Sequence, residues 1–290
     1  MNYILHLIVV LFIYFILASS LNMLVGFTGL MSMAHAAFYG FGAYSCALLM
    51  MRLNLGFLSA LSITAVLALV VSLLVALPSL RLKGDYFLLA SLAFQYLALN
   101  VMKNMDGLTG GPLGLPGIPK PSLFGLKVDT SVGIALYYGV LVACIITATI
   151  MMLKSKFGLF LRAIRDDESV ALSIGINTFS QKVAALAISC TLAAVAGGMF
   201  ASYYTFVDPT SFGLGESIFI LSAVLVGGSG NIRGPLIGAS FMVLLPELLR
   251  FLQIPSEVSA NARQIIYGGL LILLMRYRPQ GIAGEYPLDK

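Results

Sequence analysis

Residues 154–182 have the sequence KSKFGLFLRAIRDDESVALSIGINTFSQK, and they form the only long polar segment of a chain that is otherwise almost continuously apolar. The segment holds five of the 17 lysines and arginines and three of the 12 aspartates and glutamates. An apolar run of membrane-spanning length flanks it on each side. We therefore predict a polar loop, residues 154–182, between two transmembrane helices.

The pattern from Arg162 to Ile174 predicts one short amphipathic helix inside this loop. Ala163, Val170 and Ile174 share one stripe of that helix. The charged side chains project elsewhere: Arg162, Arg165, Asp166 and Glu168. Acidic residues near the start and Gly175 after the end agree with helix-dipole and capping preferences. Such a helix offers a small basic and apolar face to a cytoplasmic partner, and the alternative is a merely solvated loop.

The composition excludes a water-soluble protein. The chain has 290 residues, of which 59% are hydrophobic and only 10% charged, against roughly 25% charged residues in an average soluble domain. Long unbroken apolar runs indicate helices rather than the short alternating strands of an outer-membrane barrel. We predict an all-α polytopic membrane protein with about nine spans, within a range of eight to ten: residues 3–25, 30–51, 55–78, 86–102, 130–153, 183–206, 217–228, 236–252 and 264–277.

The basic residues predict the orientation of these spans. If the 154–182 loop lies inside, eleven lysines and arginines lie in inner segments and six in outer ones. This bias predicts a multi-pass protein with its N-terminus outside and its C-terminus inside. It also places the Gly- and Pro-rich residues 103–129 in an outer loop, and residues 206–217 in a second outer loop.

A few polar side chains fall inside the predicted spans. His35, Tyr39 and Gln95 are the candidates for lining a translocation path, because polar groups in a membrane face other helices or a pathway rather than lipid. A purely structural hydrogen bond is the alternative for His35 and for Gln95. The predicted spans place every aspartate and glutamate in a loop or near a span end, with Glu247 the deepest. An ion-coupled carrier is expected to keep acidic groups near the middle of the membrane, so this distribution disfavours one.

Two further patterns bear on function. The hexapeptide LVGFTG at 24–29 returns as LVGGSG at 225–230, which suggests either an internal duplication with broken helices or a chance recurrence of glycine-rich turns. No nucleotide-binding loop, catalytic triad, paired carboxylates or metal-ligand spacing occurs, so we expect no catalytic residue, no metal and no cofactor on this chain. The basic residues lie at span ends, which gives no indication of nucleic-acid binding.

Several long blocks, in order along nearly the whole chain, resemble LivM-type permease subunits of ABC importers for branched-chain amino acids and related small amides. They are GFTGLMSMAHAAFYGFGAY, KGDYFLLASLAF, DGLTGGPLGLPGIP, FGLFLRAIRDDESVALSIGIN, YYTFVDPTSFGLGESIFILSAVLVGGSGNIRGPLIGA and MRYRPQGIAG. The resemblance implies that residues 1–290 form a single transmembrane permease domain of the ABC importer fold. It places the protein in the cytoplasmic (inner) membrane of a bacterium or archaeon.

The resemblance also implies partners. These are a second, LivH-type permease, two ATPase subunits that bind ATP and Mg²⁺, and an extracytoplasmic substrate-binding protein. Membrane lipid surrounds the chain itself. The segment 162–176 corresponds to the helix that couples such permeases to their ATPases. The implied coupling residues are Arg162, Arg165, Asp166, Glu168, Ala171, Gly175 and Ile176. The broader importer signature places glycine six residues after its glutamate, whereas Gly175 lies seven residues after Glu168.

The function that follows is an ATP-driven importer subunit for leucine, isoleucine and valine. The nearest alternative is a urea or short-amide importer of the same construction. A stand-alone channel or ion-coupled carrier, in which the 154–182 loop is only a cytoplasmic gate, is the second class of hypothesis. A membrane-embedded enzyme is a distant third.

Overall fold

The computed structural model describes residues 2–82, 84–123, 126–127, 130–251, 268–269, 276 and 281–283. The elements in these ranges are almost all helical. The α-helices are α1 (Asn2–Thr28), α2 (His35–Arg52), α3 (Phe57–Ser79), α4 (Asp85–Asn104), α5 (Asp106–Thr109), α6 (Ser131–Lys154), α7 (Lys156–Asp166), α8 (Glu168–Ser173), α9 (Thr178–Tyr204), α10 (Leu214–Gly227) and α11 (Gly234–Phe251). Short 3₁₀ turns occupy Gly111–Leu113 and Pro209–Phe212. The strands have two residues each: β1 (Leu115–Pro116), β2 (Ser122–Leu123), β3 (Leu126–Lys127) and β4 (Phe206–Val207).

The all-α prediction is confirmed. Each of the first eight predicted spans overlaps one long helix, and the ninth, residues 264–277, lies almost wholly outside the described residues. Among the described helices, α1, α3, α4, α6 and α9 are long and apolar enough to cross a membrane, while α10 and α11 are apolar but shorter. The total of about nine spans therefore stays a prediction.

Helix α9 lies at the centre of the bundle and packs against α1, α2 and α3. Glycine permits its close crossing with α2. A Cβ on Gly42 of α2 would overlap the backbone of Ala194, and a Cβ on Gly197 of α9 would overlap the carbonyl of Tyr39. Small residues at such crossings replace the hydrophobic driving force that lipid does not supply.

One end of the bundle, named here the β1–β4 end, is built from the two predicted outer loops. Strand β1 pairs antiparallel with β4, and Leu115 lies opposite Val207. This pairing joins the 103–129 loop to the 206–217 loop. Asp208 then caps the 3₁₀ turn by accepting backbone hydrogen bonds from Thr210 at 2.8 Å and Ser211 at 3.2 Å. Partial burial raises the pKa of Asp208, but the hydrogen bonds from Thr210 and Ser211 lower it more, and its pKa lies below the ordinary value.

The opposite end is named here the α7–α8 end. Helix α1 ends there, α10 and α11 meet there, and α7 packs against α1 and α9. The predicted 154–182 loop occupies this end. Both ends of the bundle therefore differ in construction, since one consists of loops and short strands and the other of two short helices.

The flanks of α3, α4 and α6 carry many exposed apolar side chains. Val66 and Leu74 of α3 are 61% and 66% exposed, Leu97 of α4 is 60% exposed, and Val140 of α6 is 66% exposed. An apolar surface of this length, in a helix long enough to span a membrane, is the surface that lipid chains cover.

Candidate functional site

Two helices begin inside the protein rather than at its surface. Helix α1 continues to Thr28, the chain then reverses without helical structure through residues 29–34, and α2 begins at His35. The imidazole Nε2 of His35 lies 2.8 Å from the hydroxyl of Ser20 in α1, two turns before that helix ends. The predicted span 30–51 is therefore wrong at its start, because its first five residues form a non-helical segment inside the bundle.

The free amides at the start of α2 bond to side chains of α4 and α10. The bonds run from Met33 N to Ser91 Oγ (2.9 Å), from Ala36 N to Ser217 Oγ (3.1 Å) and from Ala37 N to Gln95 Oε1 (2.6 Å). Non-helical backbone at membrane depth is tolerated only where protein or water satisfies it, and here the protein does. We call Ser91, Gln95 and Ser217 the α2 cap.

Gln95 connects the starts of both internal helices. Its Oε1 accepts from Ala37, and its Nε2 donates to the carbonyl of Phe212, just before α10, at 2.7 Å. The structure brings His35, Tyr39 and Gln95 together around this junction, where their exposed fractions are 1%, 2% and 1%. They contact protein on all sides, and a role in lining a path stays a prediction.

The predicted coupling helix is two helices, not one. The sequence predicted a single helix from Arg162 to Ile174, but α7 ends at Asp166 and α8 begins at Glu168. Asp167 between them has extended dihedral angles, and its carboxylate accepts from the backbone N–H groups of Ser169 (2.8 Å) and Val170 (3.1 Å). An aspartate that caps a new helix competes with continuation of the old one, which explains the break. Gly175, with φ +86°, closes α8 as predicted.

The arginines of this segment face the bundle, which corrects the predicted basic outer face. The Arg162 guanidinium lies 4.9 Å from the centroid of the Phe27 ring, and Arg165 donates to the carbonyl oxygen of Gly26. Both side chains are half-buried. Their long stems cover apolar surface at the α7–α8 end, and this holds α7 against α1.

The outward face of the segment is apolar with acidic neighbours. Val170, Leu172 and Ile174 are 56%, 55% and 68% exposed, and Phe179 at the start of α9 is 41% exposed. We call these four residues the α8 patch. Asp166 and Asp167 beside it are exposed, while Glu168 forms an ion pair of 2.7 Å with Lys182.

Of the other predicted coupling residues, Ala171 points inward and is 1% exposed. Ile176, half-buried, donates its N–H to the Ala171 carbonyl at 3.0 Å and completes the turn around Gly175. Ala171 and Ile176 therefore support α8 on the side that faces the bundle. Asp166, the last residue of α7, and Gly175, after α8, are exposed.

The two copies of the repeated hexapeptide meet at the α7–α8 end. Asn22, four residues before Gly26, accepts from the Gly230 N–H at 3.0 Å and donates to the Asn231 carbonyl at 3.0 Å. A Cβ on Gly26 would overlap the Gly230 backbone, and a Cβ on Gly230 would meet Arg165. Whatever the origin of the repeat, its glycines allow α1, α7 and the α10–α11 turn to converge.

Sequence reasoning missed Glu216. It placed this residue in an outer loop and made Glu247 the deepest acid, but Glu216 lies in the first turn of α10. Its Oε1 accepts a hydrogen bond of 2.7 Å from the hydroxyl of Tyr14, near the middle of α1, whereas Glu247 accepts from Tyr3 at the start of α1. Glu216 is therefore the deeper of the two, and the argument that no acid lies near mid-membrane fails. The short length of α10 was the sequence signal for this position.

The described residues contain no group of three or more His, Cys, Asp or Glu side chains able to hold a metal ion. The two histidines lie in separate contacts, His35 with Ser20 and His6 with Tyr203 at 2.9 Å. The thiols of Cys46, Cys144 and Cys190 are free.

Residues 3–275 match a family described as "Branched-chain amino acid transport system / permease component". The chain is 34% identical to the high-affinity branched-chain amino acid transport system permease protein LivM of Escherichia coli, over 93% of this chain and 67% of that protein. It is 26% identical to the probable LivM permease of Methanocaldococcus jannaschii, over 79% and 68%. It is also 25% identical to the Escherichia coli permease LivH, over 96% and 93%. No solved structure matches the chain significantly.

Proposed function

The chain belongs to the branched-chain amino acid transport permease family, and we propose that it is one membrane subunit of an ATP-driven importer that moves leucine, isoleucine and valine into the cytoplasm. Membership of this family makes it a transport subunit and not an enzyme. The substrate is proposed from the names of its relatives, which include permeases for branched-chain amino acids in a bacterium and an archaeon.

The proposed assembly has five parts. The chain pairs with a second, LivH-type permease, which is supported by its 25% identity to LivH as well as its 34% identity to LivM. Two ATPase subunits bind ATP and Mg²⁺ below the pair, and an extracytoplasmic binding protein delivers substrate from above. The α7–α8 end faces the cytoplasm in this proposal, and the first residue of α1 lies outside, in agreement with the excess of basic residues in inner segments.

One observation carries the ATP-driven mechanism: the α8 patch is exposed on a segment that is itself fastened to the bundle. A merely solvated loop would expose polar side chains. This segment instead exposes four apolar ones, those of Val170, Leu172, Ile174 and Phe179. A small apolar patch with a polar rim is the usual form of a protein-docking site. Arg165 joins this segment to the ends of α1 and the α10–α11 turn, so that displacement of α8 moves membrane helices.

The mechanism we propose is alternating access. The loaded binding protein docks on the β1–β4 end, where the β1–β4 pairing makes the two loops move as one. ATP binding closes the ATPase pair, and α7 and α8 carry this closure to the internal starts of α2 and α10. Because these two helices begin at the α2 cap, their junction is a place where the bundle can hinge without breaking a continuous helix.

The test is uptake of radiolabelled leucine and radiolabelled urea at micromolar concentration, in cells with and without the gene. We expect deletion to abolish high-affinity leucine uptake and to leave urea uptake unchanged. The matched control restores the gene on a plasmid, with the ATPase subunits either intact or disabled in nucleotide binding. Loss of urea uptake alone would overturn the substrate, and leucine uptake that persists with disabled ATPases would overturn the importer in favour of a carrier.

A further inference from the structure

One face of α1 carries a line of polar aromatic groups from the β1–β4 end to mid-membrane. Tyr3, His6 and Tyr14 are three and eight residues apart, which puts them on one side of a helix. Each has a polar partner on another helix. The pairs are Tyr3 with Glu247 of α11, His6 with Tyr203 of α9 (2.9 Å) and Tyr14 with Glu216 of α10 (2.7 Å). We call these six residues the polar stripe.

The polar stripe lies at the surface of this chain, not in its core. Tyr3 is 48% exposed, and the residues His6, Tyr14 and Glu216 are half-buried. This face therefore contrasts with the apolar flanks of α3, α4 and α6. Carboxylates at membrane depth are costly next to lipid, and they face other protein or a water-filled path. The polar stripe thus belongs to the side that meets the second permease and the pathway between them.

Glu216 is the innermost acid of this line. Tyr14, its partner, lies near the middle of α1, about 15–20 Å from either end at a rise of 1.5 Å per residue. The ion pair found among the described residues is Lys182–Glu168 at the α7–α8 end, so no described cation neutralises Glu216. An intramembrane carboxylate with no cation beside it among the described residues is a functional-site candidate.

The surroundings of Glu216 suit an organic cation. The Tyr14 hydroxyl fixes one carboxylate oxygen, and the Tyr14 ring packs edge-on against Phe219 at 5.0 Å between centroids. A Cβ built on the preceding residue, Gly215, meets no atom within 4 Å, so the surface at the start of α10 is open next to Glu216. A carboxylate next to aromatic rings is the arrangement that binds an ammonium group through charge-assisted hydrogen bonds and cation–π attraction.

We propose that Glu216, oriented by Tyr14, receives the ammonium group of the amino acid as it passes between the two permeases. This inference rests on the proposed function and adds the residue that distinguishes an α-amino acid from an uncharged amide. The other four members of the polar stripe form the approach from the β1–β4 end. Tyr14 is a positioning residue, since it acts through the carboxylate.

The experiment compares the leucine uptake rate of three complete importers, which carry the wild-type chain, Glu216→Gln or Glu216→Asp. Each importer is reconstituted in liposomes with ATP and a saturating concentration of leucine-loaded binding protein. Glu216→Gln keeps the size and the acceptor for Tyr14 but removes the charge. We expect it to lower the leucine uptake rate about 10- to 100-fold, the loss of one charge-assisted contact. Glu216→Asp restores part of that rate, which a purely structural role would not predict. Asp85→Asn, an exposed carboxylate at the start of α4, is the matched control with unchanged uptake.

Each result has one meaning. Wild-type uptake by Glu216→Gln overturns the inference and leaves the proposed function standing. Loss of the second permease from the purified Glu216→Gln complex also overturns it, because the carboxylate then pairs with a cation of that subunit. Absence of leucine uptake by the wild-type importer overturns the proposed function itself. Should Glu216→Gln fail to fold, Tyr14→Phe decides: a reduction of about 2- to 5-fold supports the site, and an unchanged rate overturns it.

Discussion

The two halves of α1 make opposite kinds of contact. From its middle to the α7–α8 end, α1 contacts its neighbours through glycine and backbone groups, with Asn22 and Arg165 bridging to Gly230 and Gly26. From its middle to the β1–β4 end, the same helix presents the polar stripe, whose aromatic rings and hydroxyls remain partly exposed.

This difference assigns a separate task to each half. Close backbone packing has few alternative arrangements, so the half near α7 transmits displacement as a rigid body. Partly exposed polar side chains have unused hydrogen-bonding capacity and room, so the other half can accept a solute. One helix thus connects the segment proposed to bind ATPases with the residues proposed to bind substrate.

The largest effect is expected from Gly26→Leu, which tests whether the half near α7 is rigidly packed. Its side chain would overlap Asn22 and the backbone of Gly230, and neither can move without displacing α1 or the α10–α11 turn. Overpacking of this kind costs about 3 kcal/mol or more when backbone must shift. We expect loss of monodisperse protein in detergent, measured by size-exclusion chromatography and thermal unfolding.

The matched control for Gly26 is Gly107→Leu at the β1–β4 end, where a Cβ meets nothing within 4 Å. We expect that variant to behave as wild type. A normal melting temperature for Gly26→Leu would remove the contrast between the two halves of α1.

The next effect concerns the α8 patch. Leu172→Glu places a carboxylate in the proposed ATPase contact, next to Asp166 and Asp167, and burying an unpaired charge in an interface costs several kcal/mol. We expect the ATPase subunits to be lost from the purified complex while the second permease is retained. Leu113→Glu makes the same change at a side chain that is 84% exposed at the β1–β4 end, and it should leave the ATPases bound. Retention of ATPases by Leu172→Glu would move the docking site elsewhere.

A smaller effect is expected from Arg165→Ala, which tests whether assembly of the complex and coupling to ATP hydrolysis can be separated. This variant removes the hydrogen bond to Gly26 but leaves the α8 patch unchanged. We expect the complex to assemble, and binding-protein-stimulated ATP hydrolysis to fall about tenfold, because a hydrogen bond from a charged group contributes roughly 1.5–3 kcal/mol.

Arg162→Ala is the comparison for Arg165. It removes the contact with the Phe27 ring, worth about 0.5–1 kcal/mol at a partly exposed site, together with the packing of the side-chain stem, and it should reduce coupling less. Equal effects of both variants would show that α7 is held by its general packing rather than through Arg165.

Helix positions followed from the sequence because they depend on local composition. An apolar run of about 20 residues has few alternatives in a membrane, and the first eight predicted spans each overlap a helix. The family followed from the order of several long blocks, and the comparisons confirm it. The segment 154–182 was recognised by its charge alone.

The errors arose where tertiary contacts overrule local pattern. The amphipathic pattern continues through Asp167, but its carboxylate makes a better cap than a helix interior residue, so the helix breaks there. The arginines of α7 were expected in water, yet Phe27 and the Gly26 carbonyl come from a segment more than 130 residues away. Glu216 was placed in a loop because the contact that puts the start of α10 beside the middle of α1 is with Tyr14, a residue about 200 positions earlier.

The crossing of α2 with α9 has a consequence for biosynthesis. Helix α2 contains His35, several glycines and tyrosines, and is not among the helices apolar enough to enter a membrane by composition. Its closest neighbour, α9, is synthesised about 140 residues later, which takes roughly ten seconds or more at 5–20 residues per second. Until then, the surface around Gly42 lacks its final partner, and the amide of Ala36 lacks Ser217, which follows α9 in the chain. The α2–α9 crossing therefore forms late, after α1 to α8 have all been made.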